Sequence, residues 1–219
     1  MISQGYNVKI FILIITLLLN NLYQTNLFIE KNGYVEIEAE SFHNQKNSKI
    51  RTWKIIDEFY NHQYANDPDS LEYLTASDKK FVELLPDTRV IHDDEFLRGV
   101  NFSDEPGLSI LEYNVKFQTP GKYYVWVRAF STGSEDNGIH VGIDGQWPES
   151  GKRMQWCEGK NKWTWDSKQR TDLNHCGEPK KIFLEIKEPG IHTIQFSMRE
   201  DGFAFDKFVL TTKYKKPLD

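Results

Sequence analysis

The chain has 219 residues, the length of one ordinary domain together with a leader. Its formal net charge is −5 at pH 7, so it lacks the basic surface by which proteins bind nucleic acid or anionic lipid. Aromatic residues make up 14% of the chain. The composition therefore predicts an acidic protein with neither a nucleic-acid partner nor a lipid-surface partner.

The N-terminal stretch VKIFILIITLLL, residues 8–19, combines Lys9 with a ten-residue apolar run over residues 10–19 that is interrupted only by Thr16. This pattern is typical of a signal peptide, and the run is short for a membrane span. We expect a signal peptide over residues 1–27, followed by a mature protein that is secreted, periplasmic or on the cell surface and no longer attached to the membrane. The alternatives are an uncleaved anchor and a core helix.

Short strands follow one another through the rest of the chain, with turn signals such as TPGK at 119–122 between them. Residues 43–80, including the polar run NHQYANDPDS, and residues 158–179 read as loops. Many short strands without a long helical period indicate an all-β fold, an antiparallel β-sandwich of jelly-roll type, forming a single domain over residues 30–219. We expect a monomer. The predicted strands are 33–42, 80–86, 109–118, 123–130, 139–144, 153–157, 180–187, 192–198 and 203–210.

The chain has two cysteines, Cys157 and Cys176. In an exported protein they predict one disulfide, closing a loop of about 20 residues worth roughly 3 kcal/mol in the chain-entropy model. Two free thiols remain an alternative. Half of a metal site that includes His175 is another, although no CxxC or HxxxH spacing supports it.

The final strand carries an acid. In a regular strand, Asp206 would share a face with Ala204, Phe208 and Leu210. An unpaired carboxylate on such an apolar face is expensive to bury, so Asp206 needs a partner.

Three segments in order carry a family resemblance: IEAESF at 37–42, PGKYYVWVRA at 120–129, and PGIHTIQFSMREDGFAFDKFVLT at 189–211. Together they resemble the calcium-containing β-sandwich carbohydrate-binding modules of the family 6, family 35 and malectin-like group, which have a galactose-binding-like fold. The resemblance covers about residues 34–212. It implies a secreted, non-catalytic module that binds a polysaccharide or other glycan, alone or beside a polysaccharide-degrading enzyme.

The resemblance also implies a structural Ca²⁺ held by Glu38, Glu40 and Asp206. Glu38 and Glu40 are two apart, so both would face the same way on a strand, and hard carboxylate oxygens suit calcium. Alternatively the glutamates are solvated and Asp206 pairs with a Lys or Arg. Many of these modules carry a sugar-contacting asparagine two residues before the final-strand aspartate. That position is Ala204 here, so the usual contact is either missing or made by another residue.

Sugar sites combine an aromatic face with convergent polar groups, often on loops. We expect such contacts from the Trp-rich loop 162–170, from the turn TGSEDNG and from Arg89, whose guanidinium, with His92, would suit an acidic sugar or sulfate. The alternatives are tryptophans that anchor the loop on the sheet, an ordinary turn and a solvated loop. The candidates are Trp163, Trp165, Arg170, Glu135, Asp136, Asn137 and Arg89.

Two other functional classes remain open. A glycoside hydrolase or polysaccharide lyase would need two carboxylates at one site, and Asp93 with Asp94 or Glu200 with Asp201 are the candidate pairs. The sequence has no G-x-S-x-G, H-E-x-x-H or phosphate-binding loop. The second class is a cell-surface adhesion sandwich that binds protein.

Overall fold

The computed structural model describes residues 26–60 and 72–219. Residues 1–25 of the predicted signal peptide and the whole polar run NHQYANDPDS, residues 61–70, lie outside these residues. The described part contains four short 3-10 helices, Ala39–Ser41, Glu72–Leu74, Ser77–Lys79 and Glu149–Gly151, and fifteen strands. The strands are β1 Leu27–Ile29, β2 Tyr34–Glu38, β3 Asn44–Lys46, β4 Thr52–Ile56, β5 Phe81–Leu85, β6 Ile110–Phe117, β7 Gly121–Phe130, β8 Gly138–Ile143, β9 Met154–Gln155, β10 Thr164–Asp166, β11 Lys168–Gln169, β12 Glu178–Pro179, β13 Phe183–Ile186, β14 Gly190–Met198 and β15 Ala204–Thr211.

Two sheets form a sandwich. The eight-stranded sheet has the order β1-β6-β14-β8-β9-β11-β12, with β3 also paired to β6. The seven-stranded sheet has the order β10-β7-β15-β5-β4, with β13 on β7 and β2 on β15. Strand β1 runs parallel to β6, and the other strand pairs of the described chain are antiparallel. The predicted antiparallel β-sandwich is confirmed.

Strand alternation builds the core. On β7, Val125, Val127 and Ala129 face the other sheet, while Tyr124 and Trp126 face outward. β6 and β14 supply the matching inward residues from the opposite sheet. Each fully buried side chain of this kind contributes about 1.5–3 kcal/mol. The long loops therefore sit on a rigid two-layer frame.

The predicted loops contain more regular structure than the sequence indicated. Strands β3 and β4 lie within 43–80, and β10, β11 and β12 lie within 158–179. These strands have two to five residues, too few for a period-two pattern to stand out. β1 begins at Leu27, so folded structure starts before residue 30 and overlaps the end of the predicted leader.

The final strand departs from regular alternation. A β-bulge lies between Phe205 and Lys207, where the register against β7 shifts. Phe205 and Phe208 both belong to the central core, whereas the Asp206 carboxylate meets Arg128 on the outward face of β7. The expectation that Asp206 shares a face with Phe208 was wrong, because the extra residue reverses the alternation.

Candidate functional site

A cavity of about 580 Å³ lies at one end of the sandwich. The ends of β7 and β14 and the starts of β6, β8 and β15 meet there, because antiparallel neighbours reverse direction at each turn. Loops 86–109, 131–137 and 199–203 and the disulfide-bearing loop supply the walls. The lining residues are Arg89, His92, Phe96, Arg98, Phe102, Asp104, Ser134, Glu135, Arg153, Arg170, Thr171, Asp172, His175, Arg199 and Glu200.

Hydrogen bonds to one buried ion pair and to the backbone fix the loop 86–109 to the frame. Asp201 is fully buried, and its Oδ2 accepts from Arg51 Nη2 at 2.6 Å. The same oxygen accepts from the backbone N–H and hydroxyl of Thr88 at 2.9 and 2.7 Å. Ser103 N donates to Arg199 O at 2.7 Å at the far end of the loop. Arg89 therefore directly follows an anchored residue, Thr88, so its backbone is fixed at that point.

Most of the charges that line the cavity are paired with one another. Arg89 pairs with Glu135, Arg98 with Asp104 and Arg199 with Glu200. A further lining arginine, Arg153, pairs with Glu149 outside the lining. Another, Arg170, follows β11 and is half-buried, and it makes no ion pair with any residue of the described chain.

Local electrostatics around this unpaired arginine are positive. Burial, with the charges of Arg199 and Arg153, lowers the pKa of Arg170, although Glu200 opposes the effect. Burial, with the charges of Arg170 and Arg199, likewise lowers the pKa of His175. Burial raises the pKa of Glu200, although Arg199 opposes the effect.

Two aromatic rings complete the cavity. Phe96 is 42% exposed and its ring centroid lies 4.9 Å from that of the buried Phe102. The Arg89 and Arg98 guanidinium carbons stand 5.0 and 5.3 Å from the Phe96 centroid. An accessible ring edged by hydrogen-bond donors is the combination that holds the apolar face and the hydroxyls of a sugar.

The cavity brings together three of the predicted sugar contacts, Arg89, Glu135 and Arg170. Asp136 and Asn137 are buried and do not line it. The Asp136 carboxylate accepts from Ser131, Thr132 and Gly133 and so closes its own turn, as the ordinary-turn alternative has it. Asn137 donates its backbone N–H to Glu200 at 2.9 Å and accepts from Gln155.

The two loop tryptophans lie elsewhere, packed on the outer face of the seven-stranded sheet. Trp163 is 7% exposed and packs against Phe81 and Phe130, with ring centroids 5.2 and 5.4 Å away. Trp165 is 3% exposed and packs with Trp126 beside a separate cavity of about 340 Å³. Both therefore match the alternative of a loop anchor better than an exposed sugar platform.

The three predicted metal ligands lie near one another, but their secondary structure and their hydrogen-bond partners differ from the prediction. β2 ends at Glu38, and Glu40 lies in the 3-10 helix Ala39–Ser41, so the two do not share a strand. Ser77 Oγ donates to Glu38 Oε2 at 2.5 Å and to Asp206 Oδ1 at 2.7 Å. Arg128 donates to the other oxygen of Asp206, as the ion-pair alternative expected.

The cluster nevertheless retains unbalanced negative charge. Burial raises the pKa of Glu38. Burial, with the charges of Glu38, Asp206 and Asp78, raises the pKa of Glu40 to about 7. Glu40 Oε2 is buried and has no hydrogen-bond partner in the described chain. Across residues 26–60 and 72–219, no three His, Cys, Asp or Glu side chains already converge in a metal-binding geometry.

Cys157 and Cys176 form a disulfide with a Cα–Cα distance of 5.3 Å, as predicted. The bond ties the start of the Trp-rich loop to the end of the segment that carries Arg170 and His175. The alternative that Cys157 and Cys176 form half of a metal site is therefore wrong.

Among the described residues, no helix has the length and apolar character needed to cross a membrane.

The sequence-based interpretation missed Phe96, Phe102, Arg98, Arg153 and Arg199 as cavity residues. Phe96 and Arg98 belong to a loop without periodicity, so only their proximity to Arg89 along the chain pointed to the site. The candidate carboxylate pairs also separate. Glu200 faces the cavity while Asp201 is turned to Arg51, and Asp94 accepts from Val90 N and Ile91 N within its own turn.

Known proteins similar to this chain include one curated relative and several solved structures. "Uncharacterized protein P23" of Formosa agariphila is 55% identical over 190 residues, covering 86% of this chain and 46% of that protein. The chain thus spans under half of the relative's length.

The solved structures include three carbohydrate-binding modules. A family 35 module from Clostridium thermocellum is 14% identical, with 81% of this chain and 96% of that one covered and a TM-score of 0.43. The family 35 module from Paenibacillus barcinonensis is 15% identical, with 82% and 99% covered and a TM-score of 0.43. The C-terminal family 6 module of LamC from Zobellia galactanivorans is 13% identical, with 82% and 99% covered and a TM-score of 0.40. Identities and scores are low, so the ligands of these modules do not identify the ligand of this chain.

The model of one protein family, the glycosyl hydrolase family 115 C-terminal domain, matches residues 98–217, more than half of the 219 residues. The matched segment includes β7, β14 and β15, the strands at the centre of the two sheets. It also includes Phe102, Glu135, Arg170 and Arg199 of the loop-end cavity. This chain belongs to the glycosyl hydrolase family 115 C-terminal domain family.

Proposed function

We propose that this protein is a non-catalytic carbohydrate-binding β-sandwich that holds a glycan in the loop-end cavity. One observation carries the proposal: the cavity joins the exposed ring of Phe96 to charged side chains from several loops, all fixed on a rigid frame. A pyranose would pack its C–H face on Phe96 while guanidinium and carboxylate groups bind its hydroxyls. The similarity to carbohydrate-binding modules agrees with this role.

Binding of purified protein to a polysaccharide panel by affinity electrophoresis tests the proposal. Phe96→Ala should weaken retention at least tenfold, because aromatic stacking is the main apolar contact in such a site. Phe59→Ala is the matched control, since Phe59 is 83% exposed and does not line the cavity. Equal retention of both variants and the parent protein would place the glycan elsewhere. Retention of the parent on no polysaccharide would favour the protein-adhesion alternative.

A catalytic role is the second candidate, and Glu200 is the observation that favours it. Its carboxyl lines the cavity, and burial raises its pKa, as a general acid requires. Its ion pair with Arg199 and the pairing of Glu135 with Arg89 argue against a free carboxylate pair. Release of reducing or unsaturated ends by the parent protein, abolished in Glu200→Gln, would establish the catalytic role instead.

We also propose a structural Ca²⁺ bound by Glu38, Glu40 and Asp206. The unpartnered Glu40 Oε2 and the raised pKa of Glu40 favour binding of a cation, and carboxylates can accept further ligands beyond their present hydrogen bonds. Binding would draw the three carboxylates closer together than they now lie. The ion would balance the negative charge of the three carboxylates, which lie at the end of β2, in the 3-10 helix that follows it and on β15.

Thermal unfolding with and without calcium tests this site. Calcium at 100 times its dissociation constant stabilises the fold by about 2.7 kcal/mol, which for a domain of this size raises Tm by roughly 5–10 °C. Glu40→Gln should abolish the rise, whereas Glu185→Gln, an exposed acid on β13, should retain it. An identical melting curve in excess chelator would contradict the calcium assignment.

We further propose that the protein is exported and acts as a monomer, alone or beside a polysaccharide-degrading enzyme. The disulfide supports an oxidising compartment. The family name, a C-terminal domain of glycosyl hydrolases, supports association with such an enzyme. Cell fractionation with a tagged protein would locate it, and light scattering would give its mass in solution.

A further inference from the structure

The loop-end cavity contains more arginine than its own acids balance. Five arginines and four acids line it. Three arginines are neutralised by three of those acids, and Arg153 is neutralised by Glu149 outside the lining. Arg170 is the one lining arginine that makes no ion pair with the described residues. The remaining acid, Asp172, is exposed and so is screened by solvent.

A backbone hydrogen bond and the nearby disulfide hold Arg170 in position. Its backbone N–H donates to Arg153 O at 2.8 Å, which continues the ladder between β9 and β11. The Cys157–Cys176 disulfide closes the loop around it. Because β11 is paired with β9 on one side and β12 on the other, the guanidinium is presented to the cavity from the end of a strand that is held on both sides.

The surroundings of Arg170 favour an anion over another cation or a neutral group. Burial and the charges of Arg199 and Arg153 lower the pKa of Arg170 against the opposing charge of Glu200, and Arg199 also lowers the pKa of His175. An anion in the cavity would relieve this repulsion. A guanidinium binds carboxylates and sulfates through two parallel N–H donors, which adds geometric selection to charge.

From this arrangement we infer that Arg170 is the specificity-determining residue for an anionic substituent, a carboxylate or a sulfate ester, on the bound glycan. The inference rests on the proposed glycan-binding role of the same cavity. Phe96 would contact the sugar ring, and Arg170 would bind the charged group. Arg89, Arg98 and Arg199 keep their internal partners, so Arg170 is the lining arginine left to bind the charged group.

Two matched pairs of polymers test the inference by isothermal titration at 150 mM salt, where long-range attraction is screened. Polygalacturonate is compared with its methyl ester, which has the same backbone without the charge. Carrageenan is compared with chemically desulfated carrageenan. We expect one charged polymer to bind at least tenfold more tightly than its neutral counterpart, the range of a charged hydrogen bond. The pair that shows the preference identifies the carboxylate or the sulfate.

Arg170→Met should remove this preference while changing affinity for the neutral polymer less than twofold. Arg170→Gln, which keeps a polar side chain, guards against a folding defect in the first variant, and both should melt within a few degrees of the parent. Lys213→Met is the control for charge, because Lys213 is exposed and follows the end of β15 remote from the cavity.

Three results would overturn the inference. Equal or tighter binding of the neutral polymers, still sensitive to Phe96→Ala, would refute the anionic specificity and leave the glycan-binding role intact. A charge preference that survives both Arg170 variants, or that Lys213→Met reduces equally, would show nonspecific attraction. If the parent protein binds none of the four polymers and no other glycan in the panel, both the proposed function and this inference are refuted.

Discussion

Replacing Arg51 by methionine should destabilise the protein more than any surface substitution of a charged residue. Arg51 and Asp201 are 3% and 0% exposed in their side chains, with Nη2 and Oδ2 2.6 Å apart. Methionine fills similar space but leaves the Asp201 carboxylate buried without a countercharge. The substitution therefore isolates the electrostatic contribution of the pair.

The size of the effect follows from the contacts that remain. Removing one partner of a buried ion pair costs about 3–5 kcal/mol. Asp201 would keep two hydrogen bonds from Thr88, and burial already raises its pKa, so it can take up a proton. We therefore expect a loss near the lower limit, about 3 kcal/mol, and a fall in Tm of roughly 6–12 °C.

Urea unfolding at pH 7 measures the loss directly. Lys122→Met is the control, since Lys122 and Glu185 form an exposed pair 4.0 Å apart that should contribute less than about 1 kcal/mol. Combining Arg51→Met with Asp201→Asn should recover part of the stability, because no charge is then left buried. A loss below about 1 kcal/mol for Arg51→Met alone, or no recovery in the double variant, would refute the reasoning.

Three further predictions follow from other buried features. Burial lowers the pKa of His140 to about 3, so the unfolded state takes up the proton first and stability should fall by up to about 4–5 kcal/mol as the pH drops from 6.5 towards 3; an acid titration of unfolding should be flatter for His140→Gln, and parallel curves would contradict this. Gly202 has φ +68° and an added Cβ would stand 2.5 Å from the Asp87 carboxyl carbon, so Gly202→Ala should cost at least about 1–2 kcal/mol; it should cost more than Gly145→Ala, where the similar φ of +75° faces open space, and equal losses in chemical denaturation would exclude the clash. Reducing the Cys157–Cys176 disulfide, which spans 19 residues, should lower stability by roughly 3 kcal/mol, and an unchanged Tm in reductant would contradict that value.

The sequence predicted the long strands well. Segments 109–118 and 123–130 became β6 and β7 with shifts of one or two residues, because eight or more alternating residues specify which face is buried. It did not predict β3, β4 or β10, because three to five residues in polar surroundings form strands only when a neighbouring strand accepts their hydrogen bonds.

The candidate site was predicted in part. Arg89, Glu135 and Arg170 were chosen for their chemistry, and the fold places all three in one cavity. Trp163 and Trp165 were chosen for theirs, and the fold buries both on a sheet face. Residue type identifies what a side chain can bind, whereas exposure depends on which segment covers it.

By itself, the sequence predicted the two-sheet architecture, a disulfide between the two cysteines and the need of Asp206 for a cationic or hydrogen-bonding partner. The architecture depends on local alternation, the disulfide on the presence of two cysteines, and the partner of Asp206 on the cost of burying a charge. Only the tertiary structure decided which partner Asp206 has, through a bulge that turns it from the core to Arg128. It alone also assembled the arginine-lined cavity, because its loops are far apart along the chain and meet only where the strands end.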